Sequence, residues 1–511
     1  MFGTGRVISG DQSRDKRDMS RRGAQAASAM ASLGISEGDA LASYMRNDYP
    51  LFEAQVAAKF LGVYVVPINW HFTAAETEYI LKDSDAKVLI VHADLLAGIE
   101  SSIPDGVKVI IAPTPDFIAE AYGVDKADCS VPENMTPWDE FIDDFQEWSD
   151  PPRPPREIMN YTSGTTGNPK GVVKDPLTPE EEQKAGVLGN LVYGVRPGMR
   201  ILMTGPCYHI AVNHSATIGL MSDAELVLQP RFDAEQFLQL VEQHKITHTH
   251  MVPTMFVRLL KLTDKVKDKY DISSLEWITH GAAPCSPDVK RAMIDWFGPI
   301  LGEYYGGTEI GISNFCTSQK WLDHPGTVGR ITAGSTIRIY GDDRKPLPPG
   351  EIGEIYGVTD LVTDFAYKGL TDKRKEVEID GLVSIGDMGY MDEDGYLFLC
   401  DRKNDMVISG GVNIYPAEIE AVLVTMEGVR DCAVFGIPNE EFGESLMAMV
   451  ELESSAGLSE DDVRQFLVGR LAKYKVPHQI NFRDNLPRED SGKIFKRKLR
   501  EPYWQDAGRV I

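Results

Sequence analysis

Short apolar runs alternate with stretches of helical period through the first 350 residues. Residues 87–91, 200–203, 225–228 and 277–279 read as strands, and residues 233–242 between the last two repeat their apolar positions at helical spacing. This β-then-α alternation predicts layered α/β structure. A further helix is expected from Ser286, which can cap it, with Pro287 in its first turn and Ala292, Met293 and Trp296 as its apolar stripe. Residues 130–157 are rich in proline and acid and read as an irregular connector, followed by a short strand over 156–161. From about 330 to 400 short strands and turns dominate. Beyond residue 400 the pattern becomes a helix at 416–423, strands at 429–437 and 447–451, a helix opened by the capping box Ser459–Asp462 and running to about Leu471, and a strand at 479–482. The fold class is therefore α/β, with a large N-terminal domain of layered α/β subdomains, residues 1–403, and a smaller α+β C-terminal domain, residues 404–511.

Length agrees with more than one domain, since 511 residues exceed one ordinary core. Hydrophobic residues make up 42% and charged residues 25%, normal for a soluble globular protein. The formal charge of -25 argues against nonspecific binding of nucleic acid or anionic lipid. Six cysteines without CxxC spacing speak against a disulfide framework or zinc cluster and for a reducing, cytoplasmic setting. The charged N-terminus lacks a signal-peptide core, and no apolar run is long enough to span a membrane, so integral membrane association is not expected.

The chemistry is concentrated in Tyr161-Thr-Ser-Gly-Thr-Thr-Gly-Asn-Pro-Lys170-Gly171. Small hydroxyl residues interleaved with glycines can turn several backbone N–H groups toward one point, which suits a phosphate. The loop is not a Walker A sequence, because Pro169 stands at its second glycine and Gly171 follows the lysine. It points to nucleotide chemistry of another kind.

Further motifs follow in order: Tyr305-Gly-Gly-Thr-Glu309, Gly386-Asp387, Asp401-Arg402, Ser409-Gly-Gly-Val-Asn-Ile-Tyr-Pro-Ala-Glu-Ile-Glu420, and Pro487-Arg-Glu-Asp-Ser-Gly-Lys493. Taken together, this order resembles the adenylate-forming (ANL) superfamily of acyl-CoA synthetases, peptide-synthetase adenylation domains and firefly-type luciferases. The texture around Gly281–Pro287 and Glu303–Gly306 is similar to fatty-acid or bile-acid type CoA ligases. The resemblance covers nearly the whole chain and implies an AMP-forming acyl-CoA synthetase. Such an enzyme uses ATP to activate a hydrophobic carboxylic acid as acyl-AMP, releases pyrophosphate, and forms the thioester of coenzyme A.

The resemblance also assigns roles. Thr162, Ser163, Gly164, Thr165, Thr166 and Gly167 would hold the β and γ phosphates, with Lys170 adding charge. Glu309 would hold Mg²⁺ and Thr308 would contact the α-phosphate. Gly281, Ala282, Ala283, Tyr305 and Gly306 would border the nucleotide, with Tyr305 on adenine. Asp387 and Arg402 would contact ribose and phosphate, and Lys493 would bridge the carboxylate and the α-phosphate. His209, Tyr304, Gly281 and Gly306 would line the acyl pocket. Gly410 and Gly411 would let backbone approach the pantetheine arm of CoA, and Asn404 would be the hinge of a mobile small domain. Each residue alone also has an ordinary alternative, such as a solvated lysine in the basic tail for Lys493 or a surface ion pair for Asp387 and Arg402.

Two rival functions remain open: a stand-alone adenylation enzyme that loads a carrier-protein thiol, and a noncatalytic acyl or nucleotide binder. With no carrier domain after residue 511, free CoA is the simpler expected acceptor. The segment His209-Ile-Ala-Val-Asn-His214 lacks the aspartate by which amino-acid-activating domains bind an α-amine, so a free amino acid is disfavoured. Family members often carry more chain before the strand near Leu41, so a late start and a short natural start both fit. Homodimerisation is compatible with this reading.

Overall fold

The computed structural model describes residues 2–162, 169–370, 372–453, 456–488 and 494–504. The chain packs as two compact units. One comprises Met1–Met251, Leu262–Thr279 and Asp360–Val377, the other Val252–Lys261, His280–Thr359 and Glu378–Ile511. Asn404 lies inside the second. Among the described residues no helix is long and apolar enough to cross a membrane.

In the first unit, a parallel sheet runs in the order Tyr64–Pro67, Ala40–Tyr44, Ala86–His92, Lys108–Ala112, Thr136–Pro137. Every residue of Ala40–Tyr44 is buried, as expected of a parallel strand covered on both faces. A second sheet orders Gln12–Asp15, Arg6–Ser9, Ala224–Leu228, Met199–Met203 and His248–Met251, with the N-terminal hairpin antiparallel and the other pairs parallel. The expected strands and the helix Ala234–His244, capped by Asp233, are all present.

The connector reading of 130–157 is corrected. It contains the helix Trp138–Asp143, whose first turn carries Asp139 and Glu140 where the helix dipole favours acid. Trp138 and Ile142, one turn apart, are buried. The Trp138 indole N–H donates to Glu53 at 2.8 Å. Glu53 is fully buried on the helix Tyr49–Leu61 and is also met by Arg14 at 2.8 Å and Arg22 at 3.0 Å. That helix lies so close to Lys16–Ser32 that a Cβ on Gly23 would come within 2.5 Å of Val56. The expected strand over 156–161 is shorter, Asn160–Thr162, and pairs with Lys170–Lys174. Just before it, the Met159 amide donates to the Val65 carbonyl at 2.9 Å, outside the ladder with Lys170–Lys174.

In the second unit, an antiparallel sheet runs in the order Ser335–Tyr340, Gly353–Thr359, Leu382–Met391, Tyr396–Arg402, Thr327–Ile331, Gly311–Thr317, Leu301–Gly307. The helix Pro287–Phe297 forms as expected, but the Ser286 side chain makes no cap bond, and the buried face is Val289, Lys290, Met293 and Ile294, not Ala292 and Trp296.

Residues 407–504 build a further sheet in this unit, ordered Val412–Ile414, Val407–Ser409, Gly443–Leu452, Val429–Asn439, with Gln479–Arg483 parallel to Gly443–Leu452. Its two long strands, Gly443–Leu452 and Val429–Asn439, are buried on both faces. Cys432 and Val434 pack with the helices Pro416–Leu423 and Glu460–Val468, while Ala433, Phe435 and Ile437 pack with Leu499 of the helix Lys496–Trp504. The Ser459–Asp462 capping box is present, but the helix ends at Val468, before the expected Leu471.

Glu53→Ala leaves two arginines facing a buried void and should cost about 3–5 kcal/mol in urea unfolding. Asp139→Ala, which removes an exposed partner of Arg22, should cost under about 1 kcal/mol.

Candidate active site

Three motif residues distant in sequence meet at one carboxylate. Tyr305 lies near the end of the strand Leu301–Gly307, and Asp387 and Arg402 sit opposite each other on paired strands. The Tyr305 hydroxyl donates to Asp387 Oδ2 at 2.9 Å, and Arg402 Nε lies 2.8 Å from Asp387 Oδ1. Arg402 also donates to the Ile385 carbonyl at 3.0 Å. The Tyr305 ring packs among Val328, Ile337, Ile355 and Leu397. Burial and then the Asp387 carboxylate hold its phenol well above the ordinary pKa, so it remains a neutral donor.

Thr308, Glu309 and Ile310 form the three-residue turn between Leu301–Gly307 and Gly311–Thr317, closed by the Gly307–Gly311 pair. Gly311 takes the left-handed conformation, φ +66°, that such loops use. Thr308 and Glu309 are half-buried. A Cβ on Gly306 would lie 2.0 Å from the Gly311 carbonyl oxygen, so the turn requires glycine there. Gly281 is held equally tightly, because its Cβ would meet the Tyr304 ring at 2.7 Å. Next to it, Ala282 adopts φ +64°, a strained conformation for a residue with a Cβ, and Ala282 and Ala283 are exposed.

Behind this segment lies a pair absent from the sequence expectations. Lys290 and Glu303, both buried, hydrogen-bond to each other, and His280 Nε2 is 3.9 Å from Glu303. Burial raises the Glu303 carboxyl above its usual range, and Lys290 opposes this. Glu303 immediately precedes Tyr304 and Tyr305, so the pair ties their strand to the helix Pro287–Phe297.

Ser163, Gly164, Thr165, Thr166, Gly167 and Lys493 lie outside the described residues. The flanks of 163–168 are described. The Tyr161 hydroxyl donates to Asp83 at 2.7 Å, the Gly171 carbonyl accepts from the Lys368 amide at 2.8 Å, and a Cβ on Gly171 would press the Tyr161 ring at 2.8 Å. Thr162 ends the strand Asn160–Thr162, and Lys170 begins the facing strand with its ammonium 5.2 Å from the Tyr367 ring centre.

His209 stands at the N-cap of the helix Ile210–Met221, its ring 4.5 Å from that of Tyr208. The loop before it is fixed by buried amides. Asn47 accepts from the Cys207 amide at 2.8 Å, and Asn213 donates to the Cys207 carbonyl at 2.9 Å. His250, which the sequence reading did not single out, is buried near His209. Burial first, and then His209, pushes His250 down to about 4 from its ordinary 6.5. The alternation His248-Thr-His250 in a strand was the available signal, since it places both rings on one face.

Gly410 and Gly411 have φ of +57° and +79° and form the two-residue turn between Val407–Ser409 and Val412–Ile414, a type I′ requirement. Asn404 is exposed in the turn after Arg402 and is not left-handed, and its carbonyl accepts from Arg500 at 2.9 Å.

Tyr305→Phe removes a buried donor from a carboxylate and should cost about 2 kcal/mol of stability, read from urea unfolding. The His250 shift has a sign. Between pH 6.5 and 4 the unfolded chain takes up a proton that the native chain refuses, so native stability falls as pH falls through that window. His250→Gln should remove on the order of 2 kcal/mol of that acid-side loss, read from denaturant midpoints at pH 7 and pH 4.5.

Residues 6–363 match the AMP-binding enzyme family, and residues 418–493 match the AMP-binding enzyme C-terminal domain. The fatty acid–[acyl-carrier-protein] ligase ScoC of Streptomyces coeruleorubidus is 31% identical over 499 residues, 95% of this chain and 91% of that protein. The indoleacetate–CoA ligase of Aromatoleum aromaticum is 31% identical over 483 residues, 93% of this chain and 90% of that protein. ATP-bound MatB from Rhodopseudomonas palustris has a TM-score of 0.80 at 25% identity, covering 98% of this chain and 96% of that one. The chain thus belongs to the AMP-binding enzyme family, the adenylate-forming ANL superfamily of AMP-forming acid–thiol ligases.

Proposed function

We propose that this protein is an ATP-dependent acyl-CoA synthetase acting on a bulky or fatty hydrophobic carboxylic acid. The observation that best supports this is the meeting of Tyr305, Asp387 and Arg402 at one carboxylate. An Asp oriented from both sides suits a pair of ribose hydroxyls. A carboxylate oxygen of the acid attacks the α-phosphorus of ATP, the α–β P–O bond breaks, and pyrophosphate leaves. The thiol of CoA then attacks the acyl carbon, loses its proton, and displaces AMP.

Attack of one anion on another needs positive charge around the phosphorus. Lys170 and the loop 162–167 supply it on the β and γ phosphates, and Thr308 contacts the α-phosphate. Lys493 bridges the acid and the α-phosphate. The Glu309 carboxylate and the Thr308 hydroxyl offer the hard oxygen donors that suit Mg²⁺, and Glu309 would hold it. When bound, Mg²⁺ neutralises phosphate charge. Gly281, Ala282, Ala283, Tyr305 and Gly306 border the nucleotide, and His209 and Tyr304 line the acyl side. Gly410 and Gly411 admit the pantetheine arm, and residues 404–511 turn about Asn404 between the two steps.

The acid class is supported by the two relatives, whose names specify a fatty acid and indoleacetate. The ScoC name also favours a second reading, in which the acceptor is a carrier-protein thiol.

Purified protein with ATP, Mg²⁺ and fatty, aryl and steroid acids should release pyrophosphate with at least one acid. Parallel arms with CoA and with a phosphopantetheinylated carrier protein identify the acceptor by which thioester forms. No pyrophosphate from any acid overturns the reading. Lys493→Ala should lower adenylation by roughly 100-fold or more while sparing thioester formation from supplied acyl-AMP.

A further inference from the structure

The strand that carries Asp387 is broken by a bulge at that residue. Along Leu382–Met391, Met388 pairs with Glu354 and Ser384 pairs with Tyr356 on the neighbouring strand Gly353–Thr359. Ile385, Gly386 and Asp387 therefore stand opposite the single residue Ile355. Bulges bend a strand and re-aim its side chains. Gly386 takes φ +83°, a conformation that a residue with a Cβ would adopt only under strain. On the other edge of the strand Asp387 pairs with Arg402.

The bulge is held by bonds from outside the ladder with Gly353–Thr359. The Gly386 amide donates to the Ser384 hydroxyl at 3.0 Å, and the Gly386 carbonyl accepts from the Lys403 amide at 2.8 Å. The Ile385 carbonyl accepts from the Arg402 guanidinium at 3.0 Å. Ser384 is buried, and its hydroxyl donates to Glu354 Oε1 at 2.5 Å. The other oxygen of Glu354 lies 2.7 Å from the Lys403 ammonium and accepts from the Tyr356 hydroxyl at 3.4 Å. One carboxylate thus ties the bulge to the residue that follows Arg402. The Lys403 side chain is half-exposed, so its ion pair contributes little by itself. The directional part is the run from Glu354 through the Ser384 hydroxyl to the Gly386 amide. A regular strand needs no such run, because its ladder partners satisfy its amides.

We propose that Ser384 and Glu354 are positioning residues for nucleotide binding, holding the bulge that aims the Asp387 carboxylate at the ribose hydroxyls. This rests on the ribose contact given to Asp387 above. Tyr305 and Arg402 meet the carboxylate itself, whereas Ser384 and Glu354 fix the backbone from which it projects. They act through that backbone and not on the nucleotide. A site that accepts a hydrogen bond from a sugar hydroxyl rejects the sugar lacking it, and it does so only while its oxygens stay where the hydroxyl falls. The signature of the clamp is therefore sugar selectivity and not general affinity.

The test measures Kd for ATP and for 2′-deoxy-ATP, each with Mg²⁺, by titration calorimetry in the full-length wild-type protein and in Ser384→Ala, Glu354→Met and Asp387→Asn. Thermal melting checks folding. Wild type should bind ATP about 10-fold or more tightly than the deoxy analogue, as expected of a hydrogen bond to a charged acceptor. Ser384→Ala and Glu354→Met should each weaken ATP binding by roughly 5–10-fold and binding of the analogue by less than about 2-fold, so that the preference nearly vanishes. If one of the two fails to fold, the other carries the comparison. Equal weakening of both nucleotides, or a wild-type preference in the folded variants while Asp387→Asn has lost it, overturns the positioning role alone. A wild-type preference retained in Asp387→Asn, or no ATP binding by the wild-type protein, overturns the ribose contact as well.

Discussion

The Asp387 carboxylate is the point on which the candidate nucleotide site depends. Its two oxygens are taken by different partners, a neutral phenol from a buried ring and a guanidinium that remains largely open to water. The phenol comes from one direction, because the Tyr305 ring is packed in an apolar cluster. The guanidinium keeps charge beside the acid. The sheet register that sets Asp387 opposite Arg402 brings the two together, so the site is a product of strand pairing before it is a product of side-chain choice.

The same economy of charge recurs in a protein whose formal charge is -25. Its acids are not simply spread over the surface. Glu53, Glu303, Glu420 and Glu451 are taken inside, each facing at least one cation. Such pairs contribute little net stability compared with apolar packing, but they tolerate few alternative arrangements. They lie between elements that must keep register: two packed helices, the strand of Tyr304 and Tyr305 with its neighbouring helix, and the strands and helices of the C-terminal sheet.

Much of this was legible in the sequence. The order of the Gly/Thr, Tyr-Gly-x-Thr-Glu and Gly-Lys motifs carried the family, the β-then-α alternation carried the fold class, and local patterns located most strands and the helix cap at Ser459. What stayed hidden was tertiary. Trp138 sits in an acid- and proline-rich stretch, and its reason to be helical is a partner 85 residues away. Lys290 reads as a polar surface position until Glu303 is placed against it. Ser286 has the right residue type for a cap but makes no such bond, so propensity named the helix start and not the contact. The His250 environment likewise needs His209 from another element.

Ala282 carries one more implication. Its left-handed backbone beside the tightly packed Gly281 means that a methyl group is kept where hydrogen would be easier to accommodate. Exchange to glycine would relax the folded chain yet widen the freedom of the unfolded one, so its effect on melting is a small difference of opposing quantities.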